Sequence, residues 1–342
     1  EGDKKRIVKP TKVRNSKGKV LERWKTAAEA EMTGNFVNTK AFHDSTPQEK
    51  ADHGTPLPML CVWSQAGDDH AKCRACICGN FAKVDPLQQS WTAQAEPSSL
   101  IAATKLSANK GWTNSKHDVK GAFLNAKLPE GKLVVVRPPQ LWVVVEPGTL
   151  WTLDKAVYGL RESPFLWAQE RDARLEEVKW KVGKTPYRLK RCASDSQVWI
   201  IKKDDDADNT VLGLLIVYVD NFMCMTREGE VRTNFLSALS QVWTLTKQET
   251  LTVSHPIVFL GIEFQLRANG DIFLNQKAFV SSILHKHEAS KQKGIAAIAI
   301  DKLPTELDTP SPKDLKALQG FSGEFNWLAT RTRPDLSYYT SV

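Results

Sequence analysis

The sequence predicts an α+β fold, antiparallel strands backed by helices, on three observations. Residues 211–225 form a continuous apolar run, a polar break at Asp220-Asn221 and a second apolar run. Short unbroken runs of Val, Ile, Leu and Tyr mark buried strands, and Asp-Asn tolerates the positive φ of a tight turn. The segment therefore reads as a hairpin with its turn at Asp220-Asn221, lifting an acid to the tip. Residues 21–32, with Trp24, Ala27, Ala28 and Met32, and residues 97–110, with serine capping after Pro97, carry helical spacing. Residues 163–180 read as a long helix, and residues 196–203 as a strand pairing with the one that begins at Thr210.

The composition is that of an ordinary globular chain. Its 342 residues are 41% hydrophobic and 25% charged, enough for one large core or two to three subdomains. No apolar run approaches the roughly 20 residues that span a bilayer, so no membrane partner is expected. The chain opens with Glu1 and no signal-peptide pattern follows, as expected of a piece of a longer polyprotein. The formal charge of +8 is uneven, because residues 1–25 hold ten Lys/Arg against Glu1, Asp3 and Glu22, and the remainder is near neutral. Any nucleic-acid groove must then come from local arrangement, and residues 1–20 read as a solvated, disordered basic arm. Six cysteines without a regular framework point to a reducing, intracellular setting, cytoplasmic or nuclear.

In chain order, His70, Cys73, Cys76 and Cys78 have the chemistry of zinc ligands. A strand over residues 72–81 argues against that use, since alternation puts Cys76 and Cys78 on one face and Cys73 on the other. The next landmark is His117-Asp-Val-Lys-Gly-Ala-Phe-Leu-Asn125, a strand end running into a helix with an acid at the junction. Two acids on neighbouring strand ends, Asp118 and Asp220, are the core of two-metal phosphoryl transfer. Residues 132–147 are Val-rich and Pro-interrupted, hence short strands with irregular connections, and Asp204-Asp-Asp-Ala-Asp208 reads as a solvated hairpin loop. Residues 274–284 read as a strand-to-helix passage, and a helix is expected within residues 315–342.

Three motifs stand in order: Asp118-Val-Lys-Gly-Ala-Phe-Leu-Asn125, Val157-Tyr-Gly-Leu-Arg-Glu-Ser-Pro164 with Trp167, and Tyr218-Val-Asp-Asn221. Together they resemble the reverse transcriptase of copia-type long-terminal-repeat retrotransposon Pol polyproteins. The run Trp24-Lys-x-Ala-x-x-x-Glu31 is similar to the helix that precedes the fingers in that family, and Thr332-Arg-Pro-Asp-Leu336 to a segment after its thumb.

The resemblance covers roughly residues 20–342. It implies a polymerase right-hand fold: helix and fingers over residues 21–110, palm over 111–265 and a thumb or connection segment over 266–342. Ribonuclease H and integrase have no counterpart. The implied activity is RNA-directed DNA polymerisation, with RNA template, DNA primer, deoxynucleoside triphosphates and two Mg²⁺, Mn²⁺ being an alternative.

By resemblance Asp118 and Asp220 are catalytic with Asn221 as auxiliary, and the metal ligands are Asp118, Val119 and Asp220. Lys72 and Arg74 fall on the fingers strand whose basic side chain holds the nucleotide's triphosphate, a role that suits a guanidinium. The plainer alternative for Arg74 is a surface ion pair. Phe123 falls beneath the nucleotide sugar, where a flat ring clashes with a 2′-hydroxyl; its plainer alternative is core packing. Tyr158 and Gly159 match a motif that contacts template and nucleotide, the glycine allowing close backbone approach to a base pair. Leu260 and Gly261, in Phe259-Leu-Gly-Ile-Glu-Phe264, match the primer grip.

Two departures qualify this reading. Glu162 stands where the family more often has a neutral polar residue, and Asn221 where it usually has a second Asp. An amide oxygen is a weaker Mg²⁺ ligand than a carboxylate. The expectation is a polymerase slowed by a factor on the order of tens to thousands. The alternative is a catalytically inactive retrotransposon-derived relic that keeps the fold and nucleic-acid binding.

Overall fold

The computed structural model describes residues 6–66, 70–83, 89–139, 146, 148–204, 210–293 and 311–341. The chain begins with β1 (Arg6–Val8), α1 (Pro10–Arg14), α2 (Gly18–Glu29), β2 (Phe42–Asp44), α3 (Pro47–His53), β3 (Leu57–Ala66) and β4 (His70–Ile77). Next come α4 (Pro97–Lys110), β5 (Thr113–Asp118), β6 (Val135–Arg137), β7 (Trp151–Leu153), α5 (Ser163–Glu177), β8 (Lys179–Val182), β9 (Thr185–Arg191) and β10 (Val198–Lys203). The described remainder holds β11 (Gly213–Tyr218), β12 (Asn221–Thr226), α6 (Glu230–Val242), β13 (Glu249–Thr250), β14 (Ile257–Phe259), β15 (Ile262–Leu266), β16 (Ile272–Asn275), α7 (Lys277–Lys286), α8 (Pro312–Ala329) and α9 (Ser337–Ser341). This is the mixed helix-and-sheet composition of an α+β protein.

The chain divides into two compact units, each discontinuous: Glu1–Ala93 with Val119–Val178, and Gln94–Asp118 with Lys179–Val342. Contiguous segments were expected from sequence. The division is discontinuous because β5 joins the second sheet by pairing with β12, about a hundred residues later in the chain.

In the first unit, β1, β3, β6, β7 and β2 follow one another in a sheet, with β4 paired along Met59–Ala66 on the other edge of β3. Its core gathers Met32, Phe36, Leu57, Ile77, Val136, Trp151 and Leu160, and a neighbouring cluster joins Val13, Trp24, Trp63 and Cys73. The basic arm expected to be mobile is ordered from Arg6 onward: β1 pairs with β3, and Val13 is fully buried. Two apolar side chains in that lysine-rich stretch, Val8 and Val13, provide the anchorage that charge composition conceals. Cys73, Ala75 and Ile77 form the buried face of β4, with Cys76 on the opposite face and Cys78 beyond the strand end. The strand stops at Ile77 and turns through Gly79–Phe81, short of the expected residue 81.

In the second unit, seven antiparallel strands run in the order β13-β5-β12-β11-β10-β9-β8, and β14-β15-β16 form a separate small sheet. On one face of the large sheet α4 packs through Leu100 and Ala103 against Ile216, Met223 and Met225. Helix α6 takes the opposite face, where its Phe235 meets Trp180. Pro97 opens α4 at its first position and Gly111, left-handed at φ 61, closes it. The cap is Glu96 without a side-chain bond, in place of the expected serine, because Pro97 takes the first helical position and the serines follow it. Helix α5 ends at Glu177, and Trp180, expected within it, is a strand residue stacked on Tyr187.

The apolar hairpin is present, with its turn shifted by one residue. Tyr218 pairs with Asn221, so the two-residue loop is Val219-Asp220 and Asn221 is the first residue of β12. Positive φ falls on Val219 (54°), a strained angle for a β-branched residue. Of the acidic loop, Asp204 meets Arg188 at 2.9 Å, and residues 205–208 lie outside the described residues. The same holds for 140–145 and 147 of the Val-rich stretch.

Candidate active site

In the second unit, β5 ends at Asp118 directly opposite Asn221 of β12, so their side chains share one face of the sheet. Asp220 sits next to them in the hairpin loop, and Asn221 Nδ2 donates to Asp220 Oδ1 at 3.0 Å. The amide neutralises part of the charge that a second carboxylate would have doubled. Its oxygen remains as a ligand atom. Two carboxylates and an amide oxygen are hard donors of the kind that divalent Mg²⁺ takes, so the donor set fits such an ion. Val119, the next residue, is buried and can offer only its backbone carbonyl.

Asp118 is held from both sides of its peptide. Its N–H donates to Thr246 Oγ1 (3.0 Å), and its carbonyl accepts from Thr246 N–H (2.8 Å). On the far face of the sheet, Arg232 of α6, 2% exposed, donates to Ser115 Oγ (2.6 Å) and the Thr113 carbonyl (3.2 Å). Ser115 Oγ also meets His117 Nε2 at 2.9 Å. Burial, with the Arg232 charge second, pushes the His117 pKa down to about 4, so the imidazole beneath the acid strand is neutral at pH 7.

Beside the acids lies a cavity of about 680 Å³ lined by Lys116, Asp118, Asn221, Thr246, Glu249 and His255 among others. Lys116 is two residues before Asp118 on the same face, and its ammonium lies 3.5 Å from Glu249. Sequence reasoning did not single out Lys116, Thr246 or Arg232. Only the pairing of distant segments brings Thr246 and Arg232 to the Asp118 strand, whereas Lys116 shares its face by simple alternation.

The primer-grip candidates form the loop of the β14–β15 hairpin, where Phe259 pairs with Ile262. Leu260 and Gly261 carry φ 55 and 71, the double positive φ of a type I′ turn. Trp327 of α8 packs under Gly261, within 3.4 Å of where a Cβ would stand, and Arg331 stacks on the Trp327 ring with its guanidinium 3.2 Å from the centroid. This pair was also missed. The signal available in the sequence was its i,i+4 spacing immediately before Thr332-Arg-Pro-Asp-Leu336.

The remaining candidates belong to the first unit, and three of them converge there. The Arg74 guanidinium lies 5.2 Å from the centroid of the Tyr158 ring, which meets Phe123 edge-to-face at 4.6 Å. Lys72 is exposed on the same face of β4 as Arg74. Ile77 N–H donates to the Tyr158 carbonyl at 2.8 Å, so β4 and the Tyr158-Gly159 segment touch backbone to backbone. Gly159 has φ 97, and a Cβ there would lie 2.0 Å from the Ile77 carbonyl oxygen. The close approach this glycine permits is therefore to β4. Glu162 is buried, with Lys132 at 3.3 Å answering its charge.

The sequence matches the family described as reverse transcriptase (RNA-dependent DNA polymerase) over residues 82–301. The chain belongs to this family. Among similar proteins, the transposon Ty5-1 protein YCL074W of Saccharomyces cerevisiae is 24% identical over 66% of this chain and 67% of its own length. The retrovirus-related Pol polyproteins from transposons RE2 and RE1 of Arabidopsis thaliana are 25% and 24% identical over 73% of this chain. The matched region spans 16% of each of those two polyproteins. Copia-type membership thus stands on both the motifs and the relatives. Reverse transcriptases use divalent metal ions and act on template, primer and nucleotides. Among the described residues no helix is long and apolar enough to cross a membrane.

Proposed function

We propose that this reverse transcriptase domain carries out RNA-templated extension of a DNA primer from deoxynucleoside triphosphates, at a rate reduced by Asn221. The observation that carries the reading is the pairing of Asp118 with Asn221 beside Asp220 at a rigid hairpin tip. Asp118 and Asp220 would hold two Mg²⁺, or Mn²⁺, with the Asn221 oxygen as auxiliary and the Val119 carbonyl as a further donor. Bound there, the ions would favour ionisation of the primer 3′-hydroxyl and neutralise charge on the departing pyrophosphate. Thr246 fixes the backbone of Asp118 from two sides, so that its carboxylate needs little reorganisation.

In the first unit Arg74, steadied by the Tyr158 ring, would take the triphosphate together with Lys72. The half-buried Phe123 ring would favour nucleotides without a 2′-hydroxyl. A cavity of about 510 Å³ beside Leu160, Arg161 and Glu162 includes Phe81, 67% exposed, with Lys83 and Lys132. Rings and cations in one cleft suit a single strand of template, supporting the assignment of the Tyr158-Gly159 segment. Leu260 and Gly261 would meet the primer. The right-hand assignment of fingers, palm and thumb to residues 21–110, 111–265 and 266–342 belongs to the same proposal.

A second reading, the inactive relic, is favoured by two features of the acid site. The Asn221 amide occupies an oxygen of Asp220, and Lys116 adds a positive charge on the Asp118 face. Primer extension on an RNA template with Mg²⁺ or Mn²⁺ separates the two. Extension that Asp118→Ala abolishes establishes the polymerase. A folded protein that binds template and extends nothing is the relic, and Asn221→Asp then tests whether the missing carboxylate is the cause.

A further inference from the structure

Glu31 closes the run Trp24-Lys-x-Ala-x-x-x-Glu31, to which no role attaches in the reading above. It lies at the start of Ala30–Val37, where α2 continues as a π-helix, a form common at functional sites. Its carboxylate is 5% exposed, an unusual location for a charged group that no opposite charge among the described residues meets directly. One oxygen, Oε1, accepts from Ala75 N–H of β4 at 2.9 Å, and Oε2 accepts from Asn35 Nδ2 at 2.5 Å.

Among the described strands, β4 pairs only with β3, so its other edge presents unpaired N–H groups. Two are closed by residues of the motifs: Ala75 N–H by Glu31, and Ile77 N–H by the Tyr158 carbonyl. The clamp at Ala75 adjoins Arg74 in the chain. We propose that Glu31 is a positioning residue, anchoring the edge of β4 so that Arg74 and Lys72 are presented to the triphosphate of an incoming nucleotide. The inference rests on the proposed role of Arg74.

Electrostatics agree with this placement. Burial raises the Glu31 pKa, while Ala75 N–H, Asn35 and the charges of Lys72 and Arg74 act against the rise. The thiols of Cys61, Cys73 and Cys76 also feel this carboxylate. An aliphatic side chain would fill the same volume and leave the edge unanchored.

The test is dATP affinity of the whole chain, measured by titration in Mg²⁺, together with amide exchange of residues 72–78. Glu31→Met and Arg74→Ala are each expected to weaken binding about tenfold, the size of one charge-assisted hydrogen bond. Glu31→Met also speeds exchange at β4. Glu31→Gln, which keeps an acceptor for Ala75 N–H, restores affinity. Parent-like binding in Glu31→Met beside a loss in Arg74→Ala overturns the role of Glu31 alone. Parent-like binding in Arg74→Ala overturns the Arg74 reading on which the proposal rests. Should Glu31→Met not fold, Glu31→Asp, one methylene shorter, is expected to weaken binding, and parent-like affinity there overturns the proposal.

Discussion

Replacing Asn221 with Asp restores the acid pair usual in copia-type enzymes and, in this structure, removes a hydrogen bond. The Nδ2 to Oδ1 contact of 3.0 Å becomes an approach of two carboxylates. At that distance like charges repel by about 1.4 kcal/mol even at the dielectric of water, and half-burial raises the figure. Loss of the amide-to-carboxylate bond adds about 1.5 kcal/mol. Metal-free Asn221→Asp should therefore be less stable by about 3 kcal/mol, a fall in Tm of about 4 °C if the chain unfolds as one unit. Divalent ions reverse the sign of the local problem, because the same two carboxylates then share a cation. Mg²⁺ should raise the Tm of the variant more than that of the parent and close the gap. Thermal melts with chelator and with Mg²⁺ measure both quantities without requiring catalysis. A variant as stable as the parent in chelator, or an equal Mg²⁺ shift in the two proteins, would refute the reasoning.

Three further outcomes follow from other parts of the molecule. Gly159→Ala forces a Cβ to 2.0 Å from the Ile77 carbonyl at φ 97, and should cost about 2–5 kcal/mol in urea unfolding. Gly183→Ala, at φ 59 with no atom within 4 Å, should cost only about 1 kcal/mol; equal losses would contradict the close-approach argument. Arg232→Met leaves the Ser115 hydroxyl and Thr113 carbonyl short of a donor beneath the Asp118 strand, and the urea midpoint should fall by an amount equivalent to about 2 kcal/mol at unchanged slope. His43 bridges Asp154 and Glu49, both at 3.0 Å, and the Asp154 bond first, then Glu49, raises its pKa above 6.5. The folded state binds that proton more tightly than the unfolded one, so the contribution is complete below pH 6.5 and disappears as pH rises through the raised value. A pH series of melts on the parent and His43→Gln should converge above that value; curves that stay parallel from pH 5 to 9 would show the bridge contributes nothing.

What the sequence alone determined about this protein is local or motif-bound. The apolar runs of β11 and β12 specify buried strands because short continuous runs of Val, Ile, Leu and Met must be covered on both faces, but they leave the register open, since a one-residue slip buries the same kinds of side chain. Helix α4 is legible because Pro97 and Gly111 punctuate it chemically. Asp118, Asp220 and Asn221 were marked as candidates by motifs standing in order along the chain, and strand pairing brings them together.

Tertiary structure decided the rest. The hairpin turn moved to Val219-Asp220 because the Tyr218–Asn221 pairing outweighed the turn preference of Asp-Asn. The arm is ordered from Arg6 because β1 completes a sheet edge. Thr246, Arg232 and Glu31 take their places through bonds to residues 128, 117 and 44 positions away. No local pattern encodes such partners. A buried carboxylate or guanidinium is recognisable only from what surrounds it, and the surroundings exist once the chain has folded.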